Sequence, residues 1–552
     1  MPFTVPPCQP GENAVLLWHQ ALASGEKHIV FSPGRYDFYP DDCSKRYCYF
    51  TNNDEGIKTI ALDLQGLDGI TIEGNDTLFF FHGRISPVVA SQCCNLTICG
   101  IIVDFEDSFV SDADLVKREN GTAWFAIGGK HSFSDGRLSF TGDFYDNLAG
   151  VLPFAPYDKN KKELVYDRKT VAVANRDLLY QDGLVGVPDI FQMIETQSFI
   201  IKHELRLCPG IVCDRCENVT LRDITLHHAA GMGVLMQCCQ DIMLDNVTVK
   251  PSTRRASVSD DAVHMSDCRG KINCRNCHLE GTLDDSLNIH GVYHPLKFRI
   301  PGGKFYYLEA GHFQQAGIQA AFAGDTLELI KPDTCKPYGK IKLKAAKLIN
   351  KVFTRIEFDE KELPQEYTRG DVARVMEAAN AELEITNCTF KPLNGRGVLA
   401  SGMSAVTVTG CRFHTSGAAI HVAGDAFFWY EAGPVEKMLI ADNIFDNCCY
   451  KYNSSTRDAI SILPDIQSRE KDFFYHGDIK VVNNTFISAV RSLIAMDSVR
   501  KAEVCGNTFV QDNTYTVQEP DGCGYYFTKC DSPMINFKNC GECITDNNYN
   551  FI

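Results

Sequence analysis

"GDIKVVNNTFIS" at residues 477–488 is followed by "RKAEVCGNTFVQ" at 500–511. Each is a short alternating apolar run, a two-residue kink built on Asn or Gly, and a second short run. Alternation marks a strand with one buried face, and Asn or Gly tolerates the left-handed backbone of a tight corner. The same pattern recurs in "LDGITIEGNDTLFF" (67–80), "CCNLTICGIIVDF" (93–105), "CENVTLRDITLHH" (216–228), "CQDIMLDNVTVK" (239–250) and "RGKINCRNCHLE" (269–280). It continues in "AELEITNCTFK" (381–391), "MSAVTVTGCRFH" (403–414) and "EKMLIADNIFDN" (436–447). Kinks at Asn387, Gly410, Asn443, Asn484 and Asn507 lie 23, 33, 41 and 23 residues apart. Short strands returning at such spacings, with insertions at one corner, predict an all-β chain folded as a right-handed parallel β-helix. A sandwich would space its strands evenly at about 8–12 residues and would not repeat one Asn-x-Phe motif.

Two stretches break the repeat and set the domain boundaries. Residues 106–205, with "SFSDGRLSFTGDF" and "KELVYDRKTVAVANRD", read as strands joined by polar turns, and so do residues 295–380, with "KFYYLEAGHF" and "GKIKLKAAKLI". Each is too long for a structureless loop and predicts a small inserted antiparallel β-barrel or sandwich domain. The β-helix then occupies 1–105, 206–294 and 381–552, and "GENAVLLWHQALAS" near the start predicts a short helix that caps the first coil.

The chain of 552 residues carries a net charge of −16, with 44% apolar and 22% charged residues. A negative field of that size disfavours nucleic acid and suits a neutral partner such as a glycan. No apolar run approaches the roughly 20 residues of a membrane span. The first residues lack a basic segment followed by a long apolar one. The expected location is extracytoplasmic if a leader was removed, and cytoplasmic otherwise. A homodimer is compatible with the composition. The 24 cysteines include three pairs at CxxC spacing, Cys213/Cys216, Cys274/Cys277 and Cys540/Cys543. With 57 residues between the first two pairs and no histidine at finger spacing, packed free thiols are expected in preference to zinc. Glycosylation sequons recur along the chain, several of them in repeat corners where Asn already has a structural reason to sit, so no glycan is expected.

"SDDAVHMSDCRG" (259–270) and "LDDSLNIHGVYH" (283–294) open on the same double aspartate, offset by 24 residues. In a solenoid of this period Asp260 stacks near Asp284 and Asp261 near Asp285. Like charges so placed raise at least one pKa, a frustration tolerated mainly where chemistry needs it. His264, Ser266, Asn288, His290 and His294 surround them as donors for sugar hydroxyls. A structural calcium is the competing reading, and no metal or organic cofactor is expected. Paired carboxylates without a cofactor suit glycoside hydrolysis, one acting as acid and another as base or nucleophile. "NGRGVLAS" (394–401) and "HVAGDAFFWYEAGPV" (421–435) bring Arg396, Asp425, Trp429, Tyr430 and Glu431, types that grip sugars.

The double-aspartate pair, with "NDEGIKTIALDLQGLDGITIEGNDTLFFFHGRISP" (53–87) and "VAGDAFFWYEAGPVEKMLIADNIF" (422–445), resembles the bacterial α-1,3-galactosidases of glycoside hydrolase family 110. The resemblance implies exo-hydrolysis of terminal α-1,3-linked galactose, including that of the blood group B antigen, with inversion. It also implies Asp261, Asp284 and Asp285 as the catalytic carboxylates. Asp260, Asn288, His290, Arg396, Trp429 and Glu431 would be sugar contacts or their supports. Strict alternation instead favours Asp260 and Asp284 as the exposed members, so acid and base stay undivided. The alternatives are a pectin-type β-helix hydrolase, whose usual Asn-Thr-Asp, Gly-His-Gly and Arg-Ile-Lys motifs do not occur here, and a non-catalytic glycan-binding solenoid.

Overall fold

The computed structural model describes all residues except 10, 54, 166–169, 192–193, 195, 204–205, 301, 304, 320, 451–457, 489–492, 516–533 and 549–552. Parallel strands pair coil upon coil. One ladder of directly opposed residues runs Leu62, Val88, Ile211, Val234, Val263, Leu287, Val398, Ile420, Ile460, Ile494 and Ile535. A second runs Ile72, Ile98, Leu221, Leu244, Cys274, Ile385, Val408, Ile440, Val481 and Val504. Side chains from both ladders meet inside the coils in one continuous apolar core. The chain is therefore a parallel β-helix, as the repeat predicted.

The corner chemistry differs from the sequence reading by one residue. Asn387 and Gly410 do hold the left-handed position, with φ of 54° and 65°. In the later coils that position falls to Asp442, Asn483 and Gly506, at 57°, 57° and 68°, and not to Asn443, Asn484 and Asn507. Those three turn inward and form a buried ladder. Asn484 Oδ1 accepts from Asn443 N and Nδ2, both at 3.0 Å, and Asn484 N and Nδ2 donate to Asn507 Oδ1, again at 3.0 Å. Cysteine fills the same place further up the stack: Cys411 N donates to Asn443 Oδ1 at 2.8 Å, and Cys388 N to Cys411 Sγ at 3.4 Å. The Phe two residues after each of these Asn or Cys positions joins a second stack, Phe390, Phe413, Phe445, Phe486 and Phe509 lying 4.7–5.3 Å apart between successive ring centroids. That spacing is set by the distance of about 4.8 Å between paired strands.

This accounts for the sequons and thiols. Asn95, Asn120, Asn218, Asn246, Asn387 and Asn483 all sit at positive φ, where Asn is favoured without any glycan; Asn453 lies outside the described residues. Cys213 and Cys216 are free thiols sealed in the core. Cys238 and Cys239 are both buried, Cys239 in the core of the coils and Cys238 under Ile318 of the second insertion.

Two insertions interrupt the stack, between the coils of Val88 and Ile211 and between those of Leu287 and Val398. The first forms an 8-stranded antiparallel sheet with a separate 3-stranded one. The second closes into a barrel whose first strand is His294–Arg299 and whose last is Val372–Val375. Helix Ala14–Ala23, capped by Asn13 Oδ1 accepting from Val15 N, buries Val15, Trp18 and Ala21 over the first coil. No helix among the described residues is long and apolar enough to cross a membrane.

Asn484→Ala takes the Oδ1 acceptor from Asn443 N and the Nδ2 donor from Asn507 Oδ1, both buried. It is expected to lower stability by about 2–3 kcal/mol, read as a lower midpoint in urea unfolding followed by circular dichroism. An unchanged midpoint would show the ladder to be passive.

Candidate active site

Strand Val263–Ser266 lies directly on strand Leu287–Val292, with Val263 opposite Leu287 and His264 opposite Asn288. The aspartate pairs occupy the corner just before each strand, so strict alternation does not govern them. Asp285 N donates to Asp261 Oδ1 at 3.0 Å across the coil gap, and Ala262 N to Asp285 O at 3.0 Å. One oxygen each of Asp261, Asp284 and Asp285 falls within 4.8 Å of the others. Asp261 and Asp285 are buried, and the side chain of Asp284 is 35% exposed.

Asp260, by contrast, turns away. Its Oδ1 accepts from Lys202 Nζ at 2.7 Å and Arg206 Nε at 3.0 Å, and it is not part of the cavity wall. Burial pushes its carboxyl up, but Lys202 and Arg206 outweigh that and hold it below the usual range. Asp261 has no such hydrogen-bonded cation: burial first, then Asp284 and Asp285, hold its carboxyl well above the ordinary value. Asp284 is raised to about 6 by burial and by Asp285, with Arg206 Nη2 at 3.3 Å opposing. Asp285 is gripped by Arg396, whose backbone N, Nε and Nη2 donate at 2.7, 2.9 and 2.7 Å. Gly395 makes that grip fit. At φ +93°, its missing Cβ would stand 2.6 Å from the Asp284 carbonyl carbon.

His264 orients Asp261. Asn52 Oδ1 accepts from Arg206 Nη1 at 3.1 Å, so Asn52 Nδ2 faces His264 Nε2 at 2.8 Å as a donor. The proton of His264 then sits on Nδ1, which donates to Asp261 Oδ2 at 2.7 Å. Burial, followed by His290 and Arg206, keeps His264 uncharged. His290 backs His264 at 3.2 Å and does not line the cavity.

These groups line a cavity of about 440 Å³ together with Asn288, Trp429 and Glu431. Asn288 Oδ1 is buried without a partner. Of the predicted residues, Asp260, His290, Ser266 and His294 stand behind the wall. Asp425 and Tyr430 do not line it either: the Asp425 carboxylate accepts the backbone N–H groups of Phe427, Phe428 and Trp429. Asn52, Arg206, Gln314, Asn394 and Ser416 line the cavity and escaped the sequence reading. Only Asn394 had a signal, its place in "NGRG". The trio is a poor calcium site, since calcium takes about 6–8 oxygens and Arg206 and Arg396 already compensate Asp284 and Asp285.

The family model "GLAA-B beta-barrel domain II" matches residues 307–373 and "Right handed beta helix region" matches 375–552. The chain is 27% identical to α-1,3-galactosidase A of Shewanella woodyi over 92% of its own length and 84% of the relative's. It is also 27% identical to α-1,3-galactosidase B of Bacteroides thetaiotaomicron, over 95% and 88%. Among solved structures, the polygalacturonase of Erwinia carotovora aligns over 100% of this chain and 97% of that one, with a TM-score of 0.38 and 8% identity.

The contrast between Asp260 and Asp261 is testable. Asp260→Asn leaves Lys202 and Arg206 short of a buried counter-charge and is expected to cost about 3–5 kcal/mol in urea unfolding at pH 7. Asp261→Asn replaces a carboxyl that only neutral groups bond and whose pKa is already raised by burial, and should cost far less. Equal losses would contradict the assignment.

Proposed function

We propose that this relative of the α-1,3-galactosidases is an exo-acting glycoside hydrolase that removes terminal α-1,3-linked galactose, the blood group B determinant included. The observation that carries the reading is three carboxylates lining one cavity with unequal partners: Asp261 is bonded only by neutral donors and pushed well up by burial, Asp284 is raised to about 6, and Asp285 is held by Arg396. That is the division of labour glycoside hydrolysis requires. Asp261, oriented by His264, gives its proton to the glycosidic oxygen as the bond to the anomeric carbon breaks. Asp284 takes a proton from the attacking water. Asp285, fixed by Arg396, holds negative charge beside the positive charge that develops on the sugar. Asn288 Oδ1, unpartnered and buried in the wall, is placed to accept from a sugar hydroxyl.

Inversion follows the family resemblance. The spacing favours a second reading, retention: nearest oxygens within 4.8 Å leave less than the roughly 6.5–9.5 Å that inverting pairs keep for water. NMR of the first anomer released from α-1,3-galactobiose and from blood group B trisaccharide separates them, β-galactose being expected and α-galactose indicating retention. No release from either, alongside activity on polygalacturonate, would overturn the galactosidase reading.

The pH profile tests the roles. A base must be ionised, so kcat/KM should fall below pH about 6 as Asp284 takes up a proton. An acid must be protonated, so it should fall again on the alkaline side as Asp261 loses its proton. Asp284→Asn is expected to lower kcat by about 10²–10⁴-fold and to remove the acid limb. A variant that kept the limb would move the base role elsewhere.

A further inference from the structure

At the mouth of the cavity four rings from two distant parts of the chain meet. His312 and Phe313 come from the barrel insertion, and Phe428 and Trp429 from the loop after strand Ile420–Val422. His312 lies 4.9 Å from Trp429 and 4.3 Å from Phe313 between ring centroids, and Phe428 stands edge-on to Trp429 at 4.9 Å. Phe313 is 78% exposed, Phe428 57% and Trp429 43%. Contiguous exposed rings add little to folding and mark a surface that something covers.

The wall is built, not incidental. Asp425 Oδ1 takes the N–H groups of Phe427, Phe428 and Trp429 at 3.0, 2.6 and 3.1 Å, which freezes the loop with its rings outward. Gly311 lies flat against the ring of Tyr430, where a Cβ would come within 2.4 Å of Cγ. The carbonyl of Gln314 accepts from Asn52 N at 2.7 Å and Thr51 Oγ1 at 3.0 Å, pinning the barrel turn to the β-helix. Trp429 and Gln314 also line the cavity, so the wall continues from the polar depths without a break.

We propose that this composite wall is the subsite for the sugar on the leaving-group side of the scissile bond, with Phe313 and Phe428 stacking on the apolar C–H face of its pyranose ring. The proposal rests on the galactosidase reading. The polar, charged interior takes the terminal galactose, which presents hydroxyls in every direction. The aromatic mouth takes the next ring, and its flatness accepts different sugars there. Phe313 and Phe428 thereby act on specificity without touching the reacting atoms.

Calorimetry in the slowed Asp284→Asn protein tests this with two ligands, galactose and α-1,3-galactobiose. Phe313→Ala and Phe428→Ala, at exposed positions, are each expected to weaken galactobiose binding about three- to ten-fold and to leave galactose unchanged within about two-fold. Galactobiose binding unchanged in both variants would overturn the proposal. So would equal weakening of both ligands, which would mean that the rings merely support the cavity. If the Asp284→Asn protein itself binds neither ligand, the galactosidase reading fails first, and the wall proposal falls with it for that separate reason.

Discussion

The backbone pairing of strand Val263–Ser266 with strand Leu287–Val292 is the constraint from which the site follows. Parallel coils about 4.8 Å apart bring equivalent residues of successive turns together whether or not their side chains attract. Asp261 and Asp285 are equivalent residues in that sense. No local motif would tolerate them side by side, but a solenoid with a continuous apolar core along its length can absorb the repulsion. The frustration is thus purchased by the fold as a whole and concentrated in one corner.

How it is relieved explains the chemistry. Four carboxylates stand at the corner, and two guanidinium groups and one ammonium face them. Lys202 and Arg206 fall to Asp260, Arg396 falls to Asp285, and Asp284 has a share of Arg206 at 3.3 Å. Asp261 receives only neutral donors, His264 Nδ1 and the amide of Asp285. The carboxyl that no cation bonds is the one pushed furthest above the usual carboxylate range. Cation placement, more than the aspartates themselves, sets the carboxyls apart.

That distinction marks the limit of what the sequence discloses. Stacking of the two double-aspartate coils follows from the 24-residue offset, because period and register are local properties of the chain. The inward Asn ladder was misread by one position, since both residues of the kink are often Asn or Gly and only the backbone shows which is left-handed. Arg206 and Asn52 could not be found, because Arg206 reaches Asp260 and Asp284, and Asn52 reaches His264, from outside the coils that carry those residues. Asp260 was placed among the sugar contacts for the same reason: Lys202, its nearest cation, belongs to the first insertion. Asp425 looked like a sugar ligand because acids in aromatic loops usually are, yet its oxygens are consumed by backbone.

The insertions also divide the labour of the site. Coils of a β-helix present nearly flat flanks, which cannot by themselves enclose a small ligand. Here strand Glu431–Ala432 folds back antiparallel onto Gly291 and Val292, raising one side of the cavity. The barrel turn at Phe313–Gln315 raises another, held by the carbonyl of Gln314. The coils therefore supply the polar depth, where hydroxyls and protons are handled, and elements outside them supply the apolar rim. Asn52 ties the barrel turn to the polar depth, bonding to Gln314 on one side and to His264 on the other.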